Sequence, residues 1–382
     1  MNFDRLKTYI DRLVAEGVPE AQIIVRQNGR EVFRHVAGYS NEAKTKIARH
    51  DDLFWLFSMS KVYTMVAAMR LVERGLLDLD EPISTYLPEF KGLKVQGESG
   101  VTELENPLTL RHLMTMTGGF SYDFNRYPEM IKLKENKNAS TKDLVNAFGK
   151  VPLLFEPGTH FCYGFGHDIV AAVVEVVSNK KFRDFIKDEL LDPVGITDMG
   201  FHPTAEQLSR IADKWRVEYR EDGTKPITLG PKINWLRLTD NYDSGGAGLF
   251  GNAEQYIKMV DALANGGVSD NGYRVLSEES IEMISTNQLT EEVTKEFQSQ
   301  SYNTRKGYGY GLGVRTLLDP KAAESHSAVG EFGWDGAAGA YVLIDPENRV
   351  TIVYVEHIIN HGDLYEVHHR AMRNIAYECL GL

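Results

Sequence analysis

The sequence predicts a mixed α/β fold, α+β-like, in which an antiparallel sheet is flanked by N- and C-terminal helices and a mainly helical lobe is inserted into it. Three observations carry this expectation. Short β-branched runs lie near both ends of the chain, at residues 21–27, 30–36, 309–317, 338–344 and 349–357. Apolar residues recur at helical spacing outside these runs, and the long middle of the chain is helical in period with Gly and Pro punctuation. Residues 1–78 and 300–382 are therefore expected to build one α/β lobe and 79–299 the helical lobe, with the active site between them. With 382 residues, 42% of them hydrophobic, the chain can bury a core of that size.

Taken in order, Phe3, Leu6, Ile10, Leu13 and Val14 mark an amphipathic helix that stops before Gly17. Asn28-Gly29 joins the first two strands in the pairing a two-residue type I′ turn prefers. Val62, Met65, Val66, Met69 and Val72 line a helix that follows Ser58 and ends at Gly75, and its apolar circumference predicts burial between the lobes. Further helices are expected over residues 109–114, 143–148, 164–177, 182–191, 252–264 and 277–283, with 132–142 as a polar surface loop. The glycine-rich stretch 244–251 lacks both the spacing and the βαβ context of a phosphate-binding loop. Late strands form a meander through Asp345-Pro346-Glu347-Asn348, and Leu364, Val367, Ala371 and Ile375 give a C-terminal helix.

Lys+Arg 42 against Asp+Glu 54, a net charge of -12, speaks against nucleic acid or an anionic membrane as partner. No stretch is apolar for the length of a membrane span, and the first residues lack the pattern of a secretory signal. A soluble cytoplasmic protein is expected. Cys162 and Cys379 are far apart and make no metal pattern, so both are expected as reduced thiols.

Chemistry enters at Ser58-Met59-Ser60-Lys61, where an apolar run meets the start of a helix. One helical turn separates Ser58 from Lys61, so the amine reaches the hydroxyl and a nucleophile has a base beside it. Read alone, the same residues are an N-cap serine and a first-turn lysine. Other blocks decide between these: Leu71-Val72-Glu73-Arg74-Gly75-Leu76-Leu77-Asp78, Leu110-Arg111-His112-Leu113-Met114-Thr115-Met116-Thr117-Gly118-Gly119, Phe155-Glu156-Pro157-Gly158 and Ser244-Gly245-Gly246-Ala247-Gly248-Leu249. Together with Ser-x-x-Lys they resemble, in family order, the serine β-lactamase and penicillin-binding protein superfamily, in its class C β-lactamase-like branch with the family VIII carboxylesterases and D-amino-acid-specific peptidases.

That resemblance implies Ser58 as nucleophile with Lys61, and a tyrosine facing them a few residues after a Pro-Gly turn. Tyr163 fits, but the asparagine of the usual Tyr-x-Asn is Phe165, which has no donor or acceptor for a substrate amide. Tyr39-Ser40-Asn41 and Thr239-Asp240-Asn241 imitate family motifs out of place. The usual Lys-Thr-Gly strand is replaced by Gly333-Trp334-Asp335-Gly336-Ala337, similar to the Trp-Gly-Gly of the esterases. Trp334, Asp335, Gly336 and Phe165 are then substrate-binding, the N-H groups of Ser58 and Ala337 form the oxyanion hole, and Asp335, if it points inward, repels a substrate carboxylate.

His357, His361, His368 and His369 cluster in sequence, yet His368 and His369 face apart on a helix, so no metal is expected. His167 reads as early-helix surface. The expected function is a carboxylesterase that cleaves short-chain or small acyl esters through a Ser58 acyl-enzyme, without cofactor. A β-lactamase or D-amino-acid peptidase on the same scaffold is the alternative, and a catalytically silent binding or assembly protein the alternative of another class. The partner is a small-molecule ester or amide, with homo-oligomerisation left open.

Overall fold

A computed structural model describes residues 1–97, 100–300 and 305–382. Its central sheet is antiparallel throughout and contains strands β1 (Glu20–Gln27), β2 (Arg30–Gly38), β3 (Tyr308–Tyr310), β4 (Arg315–Leu317), β5 (Phe332–Gly333), β6 (Tyr341–Asp345) and β7 (Val350–Val355). Their spatial order is β2-β1-β7-β6-β5-β4-β3, so the two chain ends meet where β1 pairs with β7, Gln22 opposite Val355 and Gln27 opposite Val350. The longer helices are α1 (Asp4–Ala15), α2 (Ser60–Glu73), α3 (Gly166–Ser178), α4 (Ala253–Ala264) and α5 (His369–Leu380). Among the described residues, no helix is long and apolar enough to cross a membrane.

Period-two alternation fixes which face each strand residue serves. Ile23, Val25, Leu343, Ile352 and Tyr354 pack against α1 and α5, through Leu6, Ile10, Leu13, Met372 and Ala376. Their neighbours Ile24, Val342, Ile344, Val353 and Val355 face inward to the large core that also takes α2, α3 and α4. Asn28 (φ 52°) and Gly29 (φ 72°) both occupy the left-handed region that the expected hairpin turn requires.

Three expectations shift. Residues 309–317 are not one strand: β3 and β4 pair with each other around a reversal at 311–314, where the Gly311 N-H donates to Val314 O. The polar stretch before residue 143 holds a helix Pro128–Leu133, and the next helix begins at Thr141 because Ser140 and Asp143 form a capping box. At the C-terminus, five residues of wider turn, Leu364–His368, precede α5.

Candidate active site

The buried run Phe54–Trp55 ends at Leu56, and Phe57 then takes φ 45°, a left-handed conformation uncommon for a bulky residue. Backbone strain of this kind persists only where its surroundings enforce it. Here Phe57 is fully buried and its ring lies 4.8 Å from Trp235. Ser58 follows in a single 3-10 turn, Phe57–Met59, and α2 begins at Ser60, two residues later than the sequence suggested. Lys61 nevertheless stands one turn from Ser58, and its Nζ lies 3.1 Å from Ser58 Oγ.

Lys61 is fully buried, in a helix whose residues 60–69 are all buried. The glycine-rich stretch makes this possible. Thr64 Oγ1 donates to Gly245 O at 2.7 Å, Leu249 N donates to Ser60 Oγ at 2.9 Å, and Lys61 Nζ donates to Gly246 O at 2.7 Å. A Cβ at Gly245 would stand 2.3 Å from His167 O, so a side chain would force α3 away from α2. The glycines thus serve close approach between two helices and the lysine.

A cleft of about 230 Å³ opens over Ser58, lined by Tyr163, Trp334, Asp335, Gly336, Ala337, Asn360 and Tyr365. The turn after β5 forms one wall. Gly336 N donates to Ala340 O and Gly339 N to Gly336 O, which leaves Ala337 at the tip with its N-H unpartnered among the described residues. A Cβ on Gly336 would lie 2.4 Å from Leu56 O, so only glycine lets this turn sit against the chain entering Ser58. Tyr365 clamps the turn by donating to Gly336 O at 2.7 Å and accepting from Gly339 N at 3.2 Å.

Tyr163 shares the cleft with Ser58 in a different relation to Lys61 from the one expected. Its hydroxyl accepts the Trp334 indole N-H at 2.9 Å, and Lys61 Nζ lies 4.6 Å from its ring centroid, over the π face. The tyrosine whose hydroxyl meets Lys61 Nζ, at 3.2 Å, is Tyr122. Burial of that hydroxyl, and then the nearby Asp168 carboxylate, push the Tyr122 phenol well above its ordinary value, so it keeps its proton.

Phe165 requires a correction. It does not line the cleft but lies 1% exposed among aromatic rings, 4.7 Å from Tyr122, 4.7 Å from Phe148 and 5.4 Å from Phe124. Its apolar ring backs Tyr122 instead of meeting substrate. Asp335 does edge the cleft, but buried Arg315 donates to its carboxylate at 2.9 Å and His369 stands 3.9 Å away. The repulsion expected of Asp335 is largely answered by that guanidinium, whose own pKa is raised by Asp335, Tyr341 and Glu331 against the opposing effect of burial.

His167 is fully buried, not on the surface, and among the described residues neither ring nitrogen has a hydrogen-bond partner. Burial, and then the Lys61 charge, hold it well below its ordinary pKa, in the neutral form. The four late histidines take different partners, although the rings of His361 and His368 lie 6.1 Å apart. His357 bonds Ala212 O and is depressed to about 3 by burial; His361 bonds Glu356; His368 bonds Tyr9 OH; and His369 packs on Tyr341. Among the described residues, no group of three His, Cys, Asp or Glu side chains could hold a metal ion.

Sequence reasoning missed Tyr122, Asp168, Asn360 and Tyr365. Tyr122 follows the Thr117-Gly118-Gly119 block by three residues, the nearest thing to a local signal. The other three come from distant segments.

The family described as Beta-lactamase matches residues 6–374. Esterase EstB of Burkholderia gladioli is 25% identical over 89% of this chain and 86% of its own length. Lovastatin esterase of Penicillium rubens (strain ATCC 28089 / DSM 1075 / NRRL 1951 / Wisconsin 54-1255) is 34% identical over 57% of each chain. The solved structure of EstCE1, a hydrolase with promiscuous acyltransferase activity, superposes with a TM-score of 0.80 at 21% identity, covering 98% of both chains.

Proposed function

Since this chain belongs to the beta-lactamase family, we propose that it is a serine hydrolase acting as a carboxylesterase on short-chain or small acyl esters. One observation carries the reading: Lys61 Nζ lies 3.1 Å from Ser58 Oγ on the floor of a cleft that also holds the Tyr163 phenol and the free Ala337 N-H. The esterase names among its relatives support the choice of ester over β-lactam.

In the first half-reaction Lys61 takes the proton of Ser58, and Oγ forms a bond to the ester carbonyl carbon. The N-H groups of Ser58 and Ala337 hold the oxyanion. The carbon to alkoxide bond then breaks, and the proton now on Lys61 passes to the leaving alcohol. In the second half-reaction a water gives one proton to Lys61 and its oxygen adds to the acyl carbon. The bond to Oγ breaks, Ser58 regains the proton, and the acid leaves.

Tyr163 lines the same cleft, and because its oxygen accepts from Trp334 its O-H is turned to hydrogen-bond the leaving-group oxygen. A carboxylate-specific lysine is absent at the position of Trp334, which supports neutral esters over β-lactams. Ser58→Ala should abolish hydrolysis of 4-nitrophenyl butyrate and labelling by a fluorophosphonate while the protein stays folded. Retained turnover, or faster hydrolysis of a chromogenic cephalosporin than of the ester by the wild type, would overturn the proposal.

A further inference from the structure

We infer that Asp168 is a positioning residue for this chemistry, a buried carboxylate that acts through Tyr122 to turn the free electron pair of Lys61 toward Ser58. The inference rests on the reading of Ser58 as nucleophile and adds the group that orients its base.

The three polar neighbours of Lys61 Nζ are Ser58 Oγ at 3.1 Å, the Tyr122 hydroxyl at 3.2 Å and Gly246 O at 2.7 Å. A neutral amine offers two N-H donors and one electron pair. The Gly246 carbonyl can only accept, so it takes one N-H. If the Tyr122 oxygen accepts the second, the electron pair is left for the Ser58 proton. If Tyr122 instead donates to the amine, the electron pair is consumed and Ser58 faces an N-H that cannot remove its proton. The destination of the Tyr122 proton therefore decides whether Lys61 is a base for Ser58.

Asp168 supplies that destination. It lies in the first turn of α3, 1% exposed. Its Oδ1 accepts from Tyr242 OH at 2.6 Å, Ser244 Oγ at 2.6 Å and Gly246 N at 3.4 Å. Among the described residues, its Oδ2 is buried without a hydrogen-bond partner. A Cβ at Gly246 would stand 2.6 Å from Asp168 Oδ2 and 2.7 Å from the Tyr122 hydroxyl, so the two oxygens flank one glycine that leaves the space between them open. A carboxylate oxygen left without a donor in a buried site is expensive, and the Tyr122 hydroxyl on the other side of Gly246 carries a proton that can turn toward it.

The charges around this carboxylate come from every packed element. Lys61 faces it from α2; Tyr122, Tyr242, Ser244 and the Gly246 amide face it from loops. Asp243 is turned toward Arg183 and His202, and His167 on the same helix is neutral. Burial raises the Asp168 carboxyl above the usual range, while Ser244, Tyr242, Lys61 and the Gly246 amide pull it back toward the ionised form.

The test is the pH profile of kcat/KM for 4-nitrophenyl butyrate in Asp168→Asn and Tyr122→Phe. Removing a buried negative charge makes neighbouring groups bind their protons less tightly, so the acid limb moves to lower pH. The shift expected for Asp168→Asn is on the order of one pH unit, with kcat down about tenfold or more and KM within about threefold. Tyr122→Phe should lower kcat comparably and move the limb less, because the carboxylate stays. An unmoved limb in a folded Asp168→Asn, or wild-type turnover in Tyr122→Phe, overturns the inference. If Asp168→Asn does not fold, Tyr122→Phe decides alone. Loss of Ser58 labelling by fluorophosphonate in the wild type would mean that the esterase reading itself has failed, whereas normal wild-type labelling with an unshifted variant refutes only the role of Asp168.

Discussion

Gly336→Ala isolates the wall of the cleft from its catalytic floor. The new Cβ would stand 2.4 Å from Leu56 O, and the pair must separate by roughly 0.6 Å to reach the 3.0 Å below which such contacts essentially never occur. Leu56 cannot supply that movement easily, because it is fully buried and its N-H is bonded to Leu249 O at 2.9 Å. The turn is the softer partner: Ala337 at its tip is exposed, and the turn is held by Tyr365 and by its own Gly339 N to Gly336 O bond. The Ala337 N-H therefore withdraws from Ser58 by a few tenths of an ångström or more. Losing one oxyanion donor outright costs about 2.7–4 kcal/mol, a factor of about 10²–10³ in kcat, and a partial withdrawal should fall toward the lower end, about 10²-fold. Steady-state kinetics on 4-nitrophenyl butyrate, with thermal melts in parallel, reads this directly. A kcat within threefold of wild type in a protein of unchanged melting temperature would remove Ala337 from the oxyanion hole.

Two further outcomes follow from burial. Phe165→Ala should lower stability by about 3–5 kcal/mol, read from denaturant midpoints, because it empties a space enclosed by Tyr122, Phe124, Tyr127 and Phe148. A loss below about 1 kcal/mol together with a changed ester preference would put Phe165 back in the cleft. Glu175 in α3 accepts from Phe182 N at 2.9 Å and is raised to about 7, chiefly by burial. Because the folded protein holds this proton more tightly than the unfolded chain, stability is full below the ordinary glutamate value and falls as pH rises through 7, by up to about 3 kcal/mol. Glu175→Gln should flatten that fall in melts between pH 5 and 8, and an unchanged slope would refute the assignment.

Local interactions explain what was legible. Asn28-Gly29, the helix ending before Gly75 and the helix starts near Thr109 and Ser277 were readable because each depends on residues within one turn of itself. The reversal between β3 and β4 was not, because Gly309, Gly311 and Gly313 alternate with large residues and imitate the period of a single strand. The decisive contact there is Leu312 N to Ile284 O, with a partner 28 positions away that no local pattern reveals.

The sequence by itself determined that Lys61 stands beside Ser58, since a spacing of three over one helical turn brings the two side chains to one face. It also determined that both chain ends supply one sheet. Only the tertiary structure decided which tyrosine hydroxyl meets Lys61, that Phe165 is packed behind Tyr122 and that Arg315 answers Asp335. Those choices rest on contacts between segments tens to hundreds of residues apart. Burial makes each of them stringent, because a charge or hydroxyl withdrawn from water must find its partner within the fold.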